Sequence, residues 1–528
     1  MKKRYSQIFL TGASILGISG LSYGVSREIA EPGQDKQCEP LSPEEQASLQ
    51  YTHDIDILGA SVAWKKLGTV VDDASCLDAT TVYGVVQVRS IEDIQNALTF
   101  AKAEGIQVSI AGVRHSMGGH AFKRGAIMLD MTEFNAVSVQ RDTQTITVES
   151  GATWHDIQEK IHPEFAVMAM QSTDIFTVGG SISVNAHGMD HQSGAVENSI
   201  VSMMVLTPEG VIETITRESH PEYYNLIVGG YGLFGIILEV TLRIVPNDVY
   251  SSRRTIIDVT AFPSFFEHEI ETNKDIGLMY VHLSTAPGSE FLKEAIVYEY
   301  EKVKDVVPLE QIPPLGEISS VKLRRLVMNL SKHGSWWQQL RWWSEKYLEP
   351  KMESCSITRN TAQSSGEACL VSRNEPMHDS VPYLKNSLKK ETDILHEYFI
   401  PRENIIPFID RLRMVMREHE VNLLNASIRV VGKERGFLTY APEEAFSVVL
   451  YINQTTDEEG HKKMRTVTST LIDAAEEQGG TFFLPYQLHY TKEQLKAAYP
   501  NIDEFFALKK QYDPYDILSN TWYTRYSI

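Results

Sequence analysis

Two glycine-rich loops concentrate the residues whose types and spacing could do chemistry. Ala111–Ala121 reads AGVRHSMGGHA, with Gly112, Gly118 and Gly119 around His115 and Ser116. Glycine admits positive φ, which lets successive N–H groups turn toward one point and form a nest for a diphosphate without any helix dipole. A second pair, Gly179-Gly180, follows about 65 residues on and leads into Asn185-Ala-His187-Gly188. Two such loops suit one extended dinucleotide gripped from both sides. Gly230-Tyr-Gly232-Leu-Phe-Gly235 matches GxGxxG, but a helix-like segment precedes it and a strand-like run follows. That order is the reverse of the one that brings a helix N-terminus to a pyrophosphate, so a nicotinamide dinucleotide is set aside. The spacing His187-xxx-His191 offers two imidazoles, but Gly188 interrupts any helix that would align them, and no metal is expected.

The elements that must position these loops alternate along the chain. VYGVVQVRS from Val82 reads as a strand, and Ile91–Glu104 places Ile91, Ile94, Ala97, Leu98 and Ala101 at helical spacing. Gly105 stands at the helix C-cap position. QVSIAG then leads as a strand into the first loop. AIMLDM and TITVES read as strands and WHDIQEKI as a helix. A second block, Ile175–Pro246, runs from TVGGSISVNAHG through the strand SIVSMMVLTPEG and the helix HPEYYNLIV to GIILEVTLRIVP. After about residue 250 strands such as TIIDVT and SVVLYI mix with long helical stretches, and the last 50 residues form a helix and tail. The class is α+β. The predicted divisions are 1–27 as signal peptide or anchor, 28–77 as a linker, 78–248 as the ligand-binding unit, 249–480 as a substrate domain, and 481–528 as a segment returning to the first unit.

The chain has 528 residues and a net charge of −20. Length predicts more than one core, and the acidic surface excludes nucleic acid as a partner. Four cysteines, Cys38, Cys76, Cys355 and Cys369, form no CxxC pair, so zinc and iron–sulfur sites have no support. Either Cys355 and Cys369 close a small disulfide loop in an exported protein or all four are free thiols. Lys2, Lys3 and Arg4 precede an apolar run from Ile8 to Val25, with small residues Ser22 and Gly24 before a cleavage point. The run just reaches the length of a spanning helix. The protein is therefore expected to be exported, periplasmic or membrane-anchored. Residues 322–346 interleave Lys322, Arg324, Arg325, Lys332, Arg341 and Lys346 with Trp336, Trp337, Trp342 and Trp343. That pattern fits either a membrane surface or a helix packing its tryptophans on the substrate domain.

Taken jointly, VRSIEDIQNALTFAKAEG, AGVRHSMGG, TVGGSISVNAHG and GGYGLFGIILEVTLRIVP resemble, in order and spacing, the FAD-binding domain of the vanillyl-alcohol oxidase / p-cresol methylhydroxylase flavoproteins. The resemblance implies a two-subdomain FAD-binding domain with a separate α+β substrate domain. It assigns FAD to Gly112, Val113, Arg114, His115, Ser116, Met117, Gly118, Gly179, Gly180, Ser181, Asn185, Gly188, Gly235, Ile236 and Asn520. In relatives with GxxHS in this loop the histidine carries the flavin 8α-methyl group, which maps onto His115. A second, cysteinyl link is not implied, since Asp174-Ile175-Phe176-Thr177 holds no cysteine. The C-terminal half resembles the aldonolactone and alditol oxidase branch, through EYFIPRENIIPFIDRL, LLNASIRVV and YDPYDILSN. That branch implies oxidation of a CH–OH group of a sugar-derived lactone, polyol or related alcohol, with O2 or another electron acceptor. Arg429 matches the arginine of the branch's Glu-x-Arg pair, but Ser427 stands at the glutamate position and PYQLHY replaces a lysine-containing segment. The base for the hydroxyl proton is then sought among His489, Tyr490 and Asp174. Asp174 resembles the catalytic aspartate of cytokinin dehydrogenases, which makes amine oxidation the first alternative. A flavin-binding protein that has lost catalysis is the second.

Overall fold

The protein is described by a computed structural model, in which residues 24–30, 38, 61–304, 307–317, 320–348, 369–385, 388 and 390–527 are placed. The N-terminal apolar run up to residue 23, most of the polar stretch after Pro32, and Cys355 lie outside the described residues.

A four-stranded sheet is built from β1 (Trp64–Val71), β2 (Thr80–Gln87), β3 (Val108–Ala111) and β4 (Ile127–Asp130), in the order β1-β2-β4-β3. Helix α1 (Ile91–Glu104) is the crossover between β2 and β3. It starts at a capping box in which Ser90 and Asp93 satisfy each other's backbone N–H groups, and stops at Gly105, whose φ of 65° is left-handed. Its buried residues are Ile94, Ala97, Leu98, Phe100 and Ala101, which include four of the five at helical spacing. The polar stretch expected as a linker up to residue 77 ends earlier. β1 pairs antiparallel with β2, and the following turn is tied inward by Asp73, whose Oδ2 accepts from Gly119 N–H at 3.0 Å.

The second sheet holds β5 (Val137–Gln140), β6 (Thr145–Glu149), β7 (Phe165–Val167), β8 (Ile200–Leu206), β9 (Ile212–Ile215) and β10 (Ile236–Pro246), with β10 between β6 and β8 and also paired to β7. Helices α2 (Trp154–Ile161) and α3 (Val178–Ser183) accompany it. The stretch TVGGSIS, expected as an open loop, is helical here. Gly179 packs against Ser150, where a side chain would come within 2.8 Å of Ser150 Cβ, so the glycine serves close approach.

The third sheet has eight strands: β11 (Val249–Asp258), β12 (Ile276–Leu283), β13 (Glu294–Lys302), β14 (Cys369–Ser372), β15 (Glu391–Pro401), β16 (Asn422–Val431), β17 (Ala445–Thr455) and β18 (Thr481–Phe482), in the order β14-β11-β13-β12-β16-β17-β15-β18. Side chains alternate between its faces. On one face His396, Tyr398 and Ile400 meet α6 (Ile405–Glu418) and α7 (Glu458–Glu476), which follow α4 (Val321–Ser331) and α5 (Ser335–Tyr347) along the chain. The Tyr398 and Phe408 rings lie 5.6 Å apart, and Thr468 Oγ1 is 3.3 Å from His396 Nε2. The other face turns toward the first two sheets. The tail returns to the first sheet: Val108 N–H donates to Ile517 O, and Ser519 N–H to Val108 O.

The cysteine expectations are corrected in one respect. Cys38 and Cys76 form a disulfide, so the four are not all free thiols.

Candidate functional site

One cavity of about 1510 Å³ lies between the two glycine loops and the open face of the third sheet. Pockets for drug-sized ligands run to roughly 1,000 Å³, so there is room for a dinucleotide and a small substrate together. One wall is Gly112–Met117 with Gly179, Gly180, Ser181 and Gly235. Among the described residues, the backbone N–H groups of Gly112–Ser116 have no hydrogen-bond partner. These five residues are half-buried and line the cavity, and a run of unpaired donors along a cavity wall fits a diphosphate. The positive φ values fall on Arg114 (56°) and Gly119 (66°), not on Gly112 or Gly118. Those two glycines serve close packing instead. A Cβ on Gly112 would sit 2.1 Å from Thr177 Oγ1, which is how the two loops touch, and one on Gly118 would sit 2.6 Å from Tyr486 O.

This gives a direct prediction. Gly112→Ala is expected to cost about 1–3 kcal/mol by overpacking. Thr177→Ala should recover most of that loss in the double variant, as read by denaturant unfolding.

Five residues assigned to the cofactor do not line the cavity. Gly118 packs as just described. Asn185 is a brace, donating to Glu434 Oε1 at 2.6 Å and accepting from Glu197 N–H at 3.1 Å. Gly188 is required because a Cβ there would meet Met170 O at 1.9 Å. Ile236 is fully buried in the core under the first sheet. Asn520 caps the last helix through Tyr523 N–H at 2.8 Å and donates to Tyr231 O at 3.0 Å.

His115 faces the cavity half-buried, with its ring edge-on to Phe176 at 5.3 Å. Burial, with Lys385 and Arg114 nearby, pushes its pKa down to about 4. The imidazole is therefore neutral at neutral pH.

The opposite wall comes from the third sheet. Directly opposed residues of paired strands share a face. The row Glu397–Val449–Ser427–His282 crosses β15, β17, β16 and β12, and all four line the cavity together with Arg429 and Tyr486. The carboxylate lacking at position 427 thus stands two strands away on the same row, as Glu397. Its Oε1 meets His187 Nε2 at 2.7 Å and accepts from Ser447 Oγ at 2.5 Å, while among the described residues Oε2 has only Tyr486 OH, at 3.4 Å. Burial alone would raise the Glu397 pKa. His187, Arg429 and the Ser447 hydrogen bond outweigh it and hold the group below its ordinary value of 4.5. Arg429 has no ion pair within 4 Å among the described residues, and its Nε is buried without a hydrogen-bond partner.

The other proton-handling candidates are elsewhere. Asp174 is fully buried between two cavity-lining neighbours, Thr173 and Ile175, but is not itself on the cavity wall. Its Oδ2 meets His155 Nδ1 at 2.9 Å and His378 Nδ1 at 3.0 Å, and Oδ1 accepts from Ser380 Oγ at 2.8 Å. Burial would raise its pKa, but these hydrogen bonds hold it low. Its oxygens are engaged away from the cavity, so it is not placed to take a substrate proton. His489 is off the wall as well, and burial with the neighbouring His396 and Arg465 pushes its pKa to about 3. Tyr490 is in the core, stacked on Tyr526 at 4.6 Å. The two histidines of the HxxxH spacing also diverge: His187 pairs with Glu397, while His191 lies edge-on to Phe266 at 6.1 Å.

The residues that sequence reasoning missed are Glu397, His187 as its partner, Ser447 and Tyr486. The available signal was a charged residue inside the otherwise apolar alternation HEYFIP, where an unpaired carboxylate is rarely buried.

Residues 82–216 match the family described as an FAD binding domain, and residues 322–526 match that of D-arabinono-1,4-lactone oxidase. The chain is 30% identical to cytokinin dehydrogenase 2 of Arabidopsis thaliana over 43% of this chain and 45% of that one. It is 27% identical to the D-arabinono-1,4-lactone oxidase of Candida albicans, over 33% and 34%, and 27% identical to the L-gulonolactone oxidase of Bos taurus, over 30% and 37%. The chain thus spans less than half the length of each of these relatives.

Proposed function

We propose that this chain, an FAD binding domain joined to a domain of the D-arabinono-1,4-lactone oxidase family, is an FAD-dependent oxidoreductase acting on a CH–OH group of a sugar-derived lactone, polyol or related alcohol. The observation that supports this most is the pair of walls of this cavity: on one side a run of N–H donors without a partner among the described residues, and on the other Glu397 with Arg429, which has no ion pair among the described residues. Bound there, FAD supplies a hydride acceptor that O2 or another acceptor can reoxidise.

The protein's own part is acid–base and electrostatic. Glu397 Oε2 accepts the substrate hydroxyl's hydrogen bond and takes its proton, with His187 on Oε1 holding the carboxylate in place. Arg429 offers a fixed positive charge to the negative charge that develops in the cavity. The loop N–H groups bind the diphosphate.

His115 is the side chain we assign to covalent attachment. It would hold the flavin through a bond from an imidazole nitrogen to the 8α-methyl carbon, with O2 as the two-electron oxidant that would take up the N–H and C–H hydrogens as hydrogen peroxide. Such a link would prevent cofactor loss and raise the flavin potential. His115→Ala is expected to turn all acid-stable flavin into flavin released by acid, read as colour moving from pellet to supernatant, while the protein stays folded.

Amine oxidation is supported by the likeness to cytokinin dehydrogenase 2, but the aspartate it needs is turned from the cavity. Anaerobic mixing with alcohols, aldonolactones and amines separates the readings. Bleaching of the visible absorbance is expected with an alcohol or lactone. Bleaching by amines alone would replace the proposal, and no bleaching by any class would leave a flavin-binding protein without catalysis.

We further place the protein in an exported or membrane-anchored position. The basic start and apolar run Ile8–Val25 support this, as does the Cys38–Cys76 disulfide, since such bonds persist in oxidising compartments. Among the described residues no helix is long and apolar enough to cross a membrane.

A further inference from the structure

Helix α5 carries two faces of opposite character. Its inner face is fastened to the third sheet: Trp342 is 3% exposed and donates through Nε1 to Glu294 Oε2 at 2.7 Å, as does Lys346 Nζ at 2.7 Å. Glu345 Oε1 meets His282 Nδ1 at 2.6 Å and accepts from Tyr298 OH at 3.1 Å. The helix therefore cannot rotate to hide its other side. On that side Trp336, Leu340, Trp343 and Tyr347 are 62%, 40%, 52% and 50% exposed. Their spacing of four, three and four places them in one stripe. Neighbouring α4 adds Leu323 and Val327, four residues apart and both exposed. Monomeric soluble proteins rarely leave so many large apolar side chains contiguous in water.

Two observations point to the occupant. Exposed Lys322 and Arg324 flank the patch in a chain of net charge −20, a local reversal that suits an anionic surface. The described residues at the end of the apolar run are fixed to the buried side of the same helix, α4. Arg325 donates to Ile29 O at 3.0 Å and Asn329 to Glu28 O at 2.7 Å, so the short helix at 24–29 is bound to α4. Residues 24–29, the described end of the run that closes at Val25, thus lie beside α4.

We infer that the α4–α5 face docks on the surface of a lipid bilayer, with Trp336, Trp343 and Tyr347 at the depth of the headgroups and acyl boundary, where tryptophan and tyrosine partition. The inference is independent of the flavin chemistry. It extends the placement reading above by naming a surface that contacts lipid apart from the N-terminal run. Met328 of α4 also lines the cavity, so docking sets one cavity wall beside the bilayer.

The test uses the full-length protein with vesicles of equimolar phosphatidylcholine and phosphatidylglycerol, with and without brominated acyl chains. Strong quenching of tryptophan fluorescence by the brominated lipid is expected. Trp336→Phe/Trp343→Phe should stay bound and lose most of that quenching. Trp336→Ser/Leu340→Ser/Trp343→Ser should partition at least about tenfold less with unchanged unfolding behaviour. Equal partitioning of wild type and the triple serine variant, without quenching, would assign all binding to the N-terminal run and overturn the inference. A dimer in light scattering that the serine substitutions abolish, with no vesicle quenching, would assign the face to a second copy of the chain and overturn it equally.

Discussion

Glu397→Gln is expected to lower kcat by about 10²–10⁴, the usual contribution of a positioned general base, while flavin content and folding stay unchanged. Glutamine keeps the volume and the hydrogen-bonding reach toward His187 and Ser447, so the packing of β15 is preserved. What it removes is the capacity to take a proton at Oε2, the oxygen not already engaged by His187 and Ser447. The pH profile separates this role from a structural one. The Glu397 carboxyl is held below 4.5 because His187, Arg429 and Ser447 favour its ionised form more than burial disfavours it. The base is therefore competent from neutral pH down through the ordinary glutamate range, and the acid limb of kcat/KM should lie below pH 4.5. In the glutamine variant that limb should vanish. A variant that loses activity but keeps the limb would place the base elsewhere.

Arg429→Met is expected to lower kcat by about 10²–10³, the cost of removing one preorganised group that stabilises charge in the transition state. Because Arg429 has no ion pair within 4 Å among the described residues, the substitution strips no carboxylate of a direct partner, and stability should change little. Its longer-range effect is electrostatic. The guanidinium helps keep Glu397 ionised, so its loss favours the protonated carboxyl, and the acid limb should move to higher pH. Arg429→Lys should restore the position of that limb while recovering only part of kcat, because an ammonium cannot reproduce the planar fork of donors.

How much of this was legible in the sequence divides along the range of the interactions. The helix Ile91–Glu104 was readable because its cap residues and apolar spacing are local. The cavity-facing part of the first glycine loop was readable for the same reason: Gly112 to Met117 line the cavity as one continuous stretch. Glycines that serve a distant neighbour misled. Gly118 and Gly188 are small because Tyr486 O and Met170 O lie against them, and nothing near them in sequence says so. Asp174 misled for a related reason. Its neighbours Thr173 and Ile175 do reach the cavity, but the chain bends at this point, and Asp174 turns to His155 and His378, contacts distant in sequence. Glu397 was hidden by register. Its relation to Ser427 exists only across two strand pairings separated by long sequence intervals, and a single chain does not display which strands become neighbours. The tryptophan cluster is a mixed case, since its composition allowed both a packed and a lipid-facing helix, and the structure assigns Trp342 to packing and leaves Trp336 and Trp343 outside.

We propose that FAD occupies the cavity between the two glycine loops with its ring system at His115. Proteolysis of the purified protein followed by peptide mass analysis locates the flavin. The peptide containing His115 is expected to carry the added mass of FAD less two hydrogens, in about one copy per chain. Flavin attached to a peptide outside the cavity walls, or protein that binds no FAD at all, would contradict it.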